Sequence, residues 1–128
     1  MPAPLGKSPS PKGPDIQVFG RDDSSDTRAA VRFFRERRVV ARVSDLRRRP
    51  MAPGELRRFV ERLGARALLD ESSSAYRDGG LAYLRMDDVE IVERLLADQR
   101  LLRLPLVRSG NTFAAGRDEA AWKAMLGR

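Results

Sequence analysis

The feature that most constrains this chain is a strand, a helix and a second strand compressed into fewer than 30 residues. Ile16-Gln17-Val18-Phe19-Gly20 is a short β-type run stopped by glycine. Arg21 to Ser25 is a polar loop. From Asp26 to about Arg37 the apolar residues recur at helical spacing, with Ala30, Val31, Phe33 and Phe34 on one face. Val39 to Val43 is short and β-branched, and reads as the second strand. Elements this close form a βαβ unit, two parallel strands joined by a right-handed crossover.

The remainder is helical first and β-rich later. Pro53 occupies a favoured first-turn position, and Leu56, Phe59, Val60 and Leu63 follow at i, i+3, i+4 and i+7 before Gly64 ends the helix. Ala65 to Leu69 begins another helical turn, and Glu71 to Gly80 is polar and loop-like. Asp87 and Asp88 open a further helix, where acids complement the positive N-terminal end. Its expected stripe is Val89, Val92 and Leu96, flanked by Ile91 and Leu95. Leu102 to Val107 and Thr112 to Ala115 read as an antiparallel hairpin. Gly116 precedes a last helix, Asp118 to Leu126, with Trp122, Met125 and Leu126 toward the core. The order is β-α-β, a helical block, then β-β-α: an α/β chain with a four-stranded mixed sheet in the thioredoxin-like arrangement, carrying a helical insertion after its second strand.

The first fourteen residues hold five prolines, Pro2, Pro4, Pro9, Pro11 and Pro14, and little to bury. They are expected to form a disordered tail ahead of a single domain at 15–128. The chain has no Cys and no His. That excludes disulfides, intrachain thiol chemistry and Ser-His-Asp or Cys-His catalysis, and removes the usual ligands of zinc, haem and iron–sulfur sites. No metal site and no resident cofactor are expected. No apolar run approaches a membrane span and no signal pattern opens the chain, so a soluble cytoplasmic protein, expected to be monomeric, follows.

The net charge of +7 is concentrated: residues 28–66 carry thirteen arginines against four acids, +9, while both flanks are near neutral. Such a stretch is either a face for an acidic partner or a set of solvated helix surfaces. Within it, Arg47, Arg48 and Arg49 precede Pro50 in a loop and form the candidate partner-binding cluster. Direct nucleic-acid binding is the weaker reading, because no aromatic stacking residues are interleaved with the arginines.

Five motifs in order now carry a resemblance. The loop Asp22-Asp23-Ser24-Ser25-Asp26-Thr27-Arg28 follows the first strand. Pro53-Gly54-Glu55-Leu56, Arg66-Ala67-Leu68-Leu69, Pro105 and Gly116-Arg117 come after it. From about Ile16 to Leu126 the chain resembles the arsenate reductase (ArsC)/Spx family of glutaredoxin-related bacterial proteins. The resemblance implies that Ser24 stands at the nucleophilic cysteine position and Thr27 at the second cysteine position of Spx-like members. It implies anion-binding roles for Arg28 and Arg117, and a structural cis proline at Pro105. It also exposes two departures: Leu104 and Asp70 stand where the reductases of the family have arginines.

A serine at a helix start needs a general base to attack anything, and no His exists to serve. Ser24 or Ser25 is more simply a helix cap. Arg28 either holds an anion at the helix start or pairs with Asp22 or Asp23. The reading is therefore a redox-inactive member of the family, a protein-binding or transcription-regulating module with a partner such as RNA polymerase, as the resemblance to Spx implies. The alternative is an arsenate reductase or glutaredoxin-type thiol oxidoreductase whose native Cys, or selenocysteine, at position 24 is replaced by Ser. Glutathione is the co-substrate that the family resemblance would bring.

Overall fold

The computed structural model describes residues 14–127. The expected tail lies almost wholly outside the described residues. Four strands, β1 (Ile16–Gly20), β2 (Ala41–Asp45), β3 (Leu106–Ser109) and β4 (Thr112–Ala115), form one sheet in the order β2-β1-β3-β4. β1 pairs parallel with β2 and antiparallel with β3, and β3 pairs antiparallel with β4. The helices are α1 (Ser25–Glu36), α2 (Pro53–Leu63), α3 (Ser74–Asp78), α4 (Asp88–Ala97) and α5 (Glu119–Met125). The architecture is the thioredoxin-like mixed sheet, with the helical block between β2 and β3.

Strand alternation splits the core into two layers. Ile16, Val18, Val107 and Ala114 face α1 and α5, where they meet Phe33, Phe34 and Trp122. The Trp122 and Phe33 ring centroids lie 5.4 Å apart. Phe19 and Leu106 face the opposite layer, against Leu56 and Phe59 of α2 and Ile91 and Leu95 of α4. A half-buried ion pair, Arg108 Nε to Glu55 Oε2 at 2.6 Å, ties β3 to α2. β3 and β4 close on Gly110-Asn111, with Ser109 opposite Thr112. Gly110 has φ +57°, the positive value that the first central residue of a type II′ turn requires.

The structure corrects four sequence expectations. β2 begins at Ala41, two residues later than Val39. Arg38 adopts φ +60° and the Val39 N–H bonds back to the Phe34 carbonyl, so these residues close α1. β3 starts at Leu106, because Pro105 has no N–H to donate and Leu102 forms an isolated bridge with Leu69. The stretch Glu71–Gly80 contains α3, one short helix capped by Ser73 and too brief to show periodicity. On α4 the buried pair is Ile91 and Leu95, while Val89 is exposed and Val92 and Leu96 are half-buried. Five apolar residues spread over nearly half of that helix's circumference, so spacing alone does not choose which of them turn inward. No helix among the described residues is long and apolar enough to cross a membrane.

Candidate functional site

The loop from β1 to α1 is built by capping. Ser24 has extended backbone and its Oγ accepts the Thr27 N–H at 3.1 Å, the N-cap geometry. Ser25 is already the first helical residue. Thr27 turns inward and is 3% exposed. Its Oγ1 accepts the Arg21 N–H at 3.4 Å. The room for Thr27 comes from Gly20: a Cβ there would sit 2.4 Å from Thr27 Oγ1. Thus Ser24 is the half-exposed group of this loop and Thr27 is a packing residue.

Beside Ser24 lies a cleft of about 290 Å³. Its walls come from the β1–α1 loop, from Asp70 and the start of α3, and from Arg100, Leu102 and Leu104. Two guanidiniums face it, and both are engaged. Arg21 Nε and Nη2 donate to the two Asp23 carboxylate oxygens at 3.1 and 2.9 Å. Arg100 Nε and Nη2 do the same to Asp98 at 2.9 and 2.8 Å. These paired hydrogen bonds hold the Asp23 and Asp98 carboxyls below the usual carboxylate range and raise the two arginines. Asp26 and Asp70 also line the cleft. Asp70 Oδ1 accepts from the Ser72 N–H and Oγ–H, which shapes the turn into α3. With Arg21 balanced by Asp23 and Arg100 by Asp98, the remaining lining charge is negative. Both lining guanidiniums are already paired, so an oxyanion entering here competes with Asp23 and Asp98 for them.

The other sequence-predicted residues are dispersed around this loop. Arg117 lies 4.0 Å from Asp26 and 3.3 Å from Glu119, so it bridges the starts of α1 and α5. Arg28 donates to the Asp22 carbonyl at 2.7 Å and lines a different groove, between α1 and β2. The Leu104–Pro105 peptide is cis; Leu104 lines the Ser24 cleft, whereas Pro105 is buried at the head of β3. Arg47, Arg48 and Arg49 are all exposed in a turn held by the Asp45 carbonyl and carboxylate. Arg47 also reaches Asp22 at 3.3 Å. Arg21 and Arg100, the cations that do border the cleft, escape sequence reasoning. The Arg21-Asp22-Asp23 and Asp98-Gln99-Arg100 spacings signal local ion pairs, but only the fold brings them to one cleft. Among the described residues no cluster of three potential metal-ligating side chains occurs.

The ArsC family profile matches residues 19–125. The chain belongs to the ArsC family. It is 27% identical over 116 residues to an arsenate reductase of Neisseria meningitidis serogroup A, covering 88% of this chain and 99% of that one. Among solved structures it is similar to the YffB protein, with TM-score 0.79 and 19% identity over 87% of this chain and 98% of the other. An arsenate reductase from Vibrio cholerae superposes with TM-score 0.75 at 17% identity, covering 86% and 97% of the two chains. At these identities the solved structures establish the fold, and the family match establishes the relationship to arsenate reductases.

Proposed function

We propose that this ArsC-family chain is a redox-inactive, cytoplasmic binding module whose partner is an acidic protein surface, of which RNA polymerase is one candidate. The observation that carries the reading is the state of Ser24. By the resemblance of its motifs it stands at the position of the nucleophilic thiol, yet here its oxygen is an N-cap acceptor. No His or Cys exists in the chain to activate it or to complete a thiol relay. Thr27, at the second cysteine position, is buried. Leu104 and Asp70 take the places of two family arginines and both border the cleft. A cleft without a nucleophile and with excess carboxylate is poorly suited to arsenate or phosphate. Elsewhere the surface presents the exposed Arg47-Arg48-Arg49 turn.

The test is affinity capture from lysate with the wild type and with Arg47, Arg48 and Arg49 all changed to Ala, each with and without nuclease. Loss of specific protein partners in the triple variant, insensitive to nuclease and weakened by salt, supports the reading. Identical partner sets for the two proteins remove the basic turn from it. The alternative, a reductase with Cys or selenocysteine natively at position 24, is settled by the natural coding sequence at that codon.

A further inference from the structure

Among the described residues β2 is an edge strand whose outer side is unpaired. Alternate residues of a parallel edge strand bond inward, and the Leu46 N–H donates to the Gly20 carbonyl at 2.9 Å. By that parity Arg42 and Ser44 bond to β1, while Ala41 and Val43 turn both N–H and C=O outward. Val43 stands opposite Val18 and so faces the α1 layer, yet it is 51% exposed, and neighbouring Val40 is 79% exposed. Between this edge and α1 run two contiguous clefts of about 470 and 420 Å³, which share Val31, Arg35 and Val43.

The apolar floor is bordered by cations. Arg28, Arg32, Arg35 and Arg38 recur three or four residues apart, along the α1 side that flanks the groove. Among the described residues, Arg32, Arg35 and Arg38 form no ion pair with a carboxylate. Asp22 and Asp45 lie at one end of the groove only. An edge with open backbone groups is a template for pairing unless charge, cover or a partner blunts it.

We infer that the β2 edge with its α1 groove is a strand-addition site for an acidic extended peptide whose groove-facing positions carry both an apolar side chain and carboxylates. This deepens the binding-module reading and rests on it. Backbone pairing with Ala41 and Val43 supplies register. On the α1 side of the added strand an apolar side chain fills the Val31–Val43 floor, and carboxylates at the neighbouring groove-facing positions, two residues away, meet Arg32 and Arg35. A second copy of this chain is disfavoured because β2-to-β2 pairing opposes two arginine rows. The chain's own residues 1–13 are disfavoured because they carry Lys7 and Lys12 and no acid.

The probe is a short capped peptide with glutamate, valine and glutamate at successive alternate positions and threonine between them, titrated into the full-length protein and followed by amide NMR. Expected are localised shifts and slowed hydrogen exchange at Ala41 and Val43. The Arg32→Glu/Arg35→Glu variant should bind about tenfold more weakly or worse. Both side chains are exposed, so circular dichroism should show an unchanged fold. Methylating alternate backbone nitrogens of the peptide should abolish binding, and Arg47→Ala/Arg48→Ala/Arg49→Ala should not alter it. Any of four results overturns the inference: no binding at millimolar peptide, equal binding of the same peptide with lysine in place of glutamate, concentration-dependent dimerisation through β2, or equal competition by a single-stranded oligonucleotide. If the peptide fails while the Arg47–Arg49 turn still governs lysate partners, the strand site falls and the module reading stands. Protein-dependent arsenate reduction instead defeats the module reading itself.

Discussion

Gly20→Ala tests whether Thr27 is a packing residue. An alanine Cβ at position 20 would lie 2.4 Å from Thr27 Oγ1 and 2.5 Å from its Cγ2. Thr27 cannot simply swing aside: it is 3% exposed, and its N–H is held by the Ser24 cap. Relief requires α1 to shift against β1, an overpacking cost of about 1–3 kcal/mol. Thr27→Ala removes both offending atoms, leaving only Thr27 Cβ at 3.0 Å. Adding Gly20→Ala to Thr27→Ala should therefore cost much less than adding it to the wild type, a coupling of about 1–2 kcal/mol. Urea unfolding read by Trp122 fluorescence suits the measurement, since it is the chain's one tryptophan and is buried beside Phe33 and Phe34. A Gly20→Ala protein within about 0.5 kcal/mol of wild type, or strictly additive variants, would refute the packing role.

Three further outcomes follow from the site. Ser24→Ala removes the α1 cap and should destabilise by about 1 kcal/mol in the same unfolding assay; no loss would free Ser24 from its structural role. The Asp23 and Asp98 carboxyls sit below their ordinary range in the folded protein, so their contribution is complete at neutral pH. It should be lost as pH falls through about 4 toward the folded values, and the urea midpoint should drop there; a midpoint unchanged down to about pH 3 contradicts those pairings. Ser24→Cys should recover little arsenate reduction, because Leu104 and Asp70 remain in the cleft; family-like turnover in that single variant would show the missing arginines to be dispensable.

The parts of this fold legible in the sequence are those with local punctuation. β1 ends at Gly20, α2 begins at Pro53 and stops before Gly64, and β4 follows the Gly110-Asn111 turn. The β2 boundary is harder, because Ser44 and Asp45 are polar residues on a partly exposed edge, and Val39 is drawn into the end of α1. The inward side of α4 is hidden for another reason: its apolar residues exceed what one narrow contact can bury. At the site, the cap role of Ser24 is readable from residue type and position. Which charges meet in the cleft is not. Asp23, Asp70 and Arg100 are brought there from separate segments, whereas Arg28, only four residues from Ser24, is carried to the α1–β2 groove.

The most direct test of the account is arsenite formation by the purified wild-type chain, supplied with arsenate, reduced glutathione and glutaredoxin. A chain with no thiol and with Ser24 engaged as a helix cap should give the rate of the protein-free control. Arsenite produced in proportion to the concentration of this protein would contradict the account.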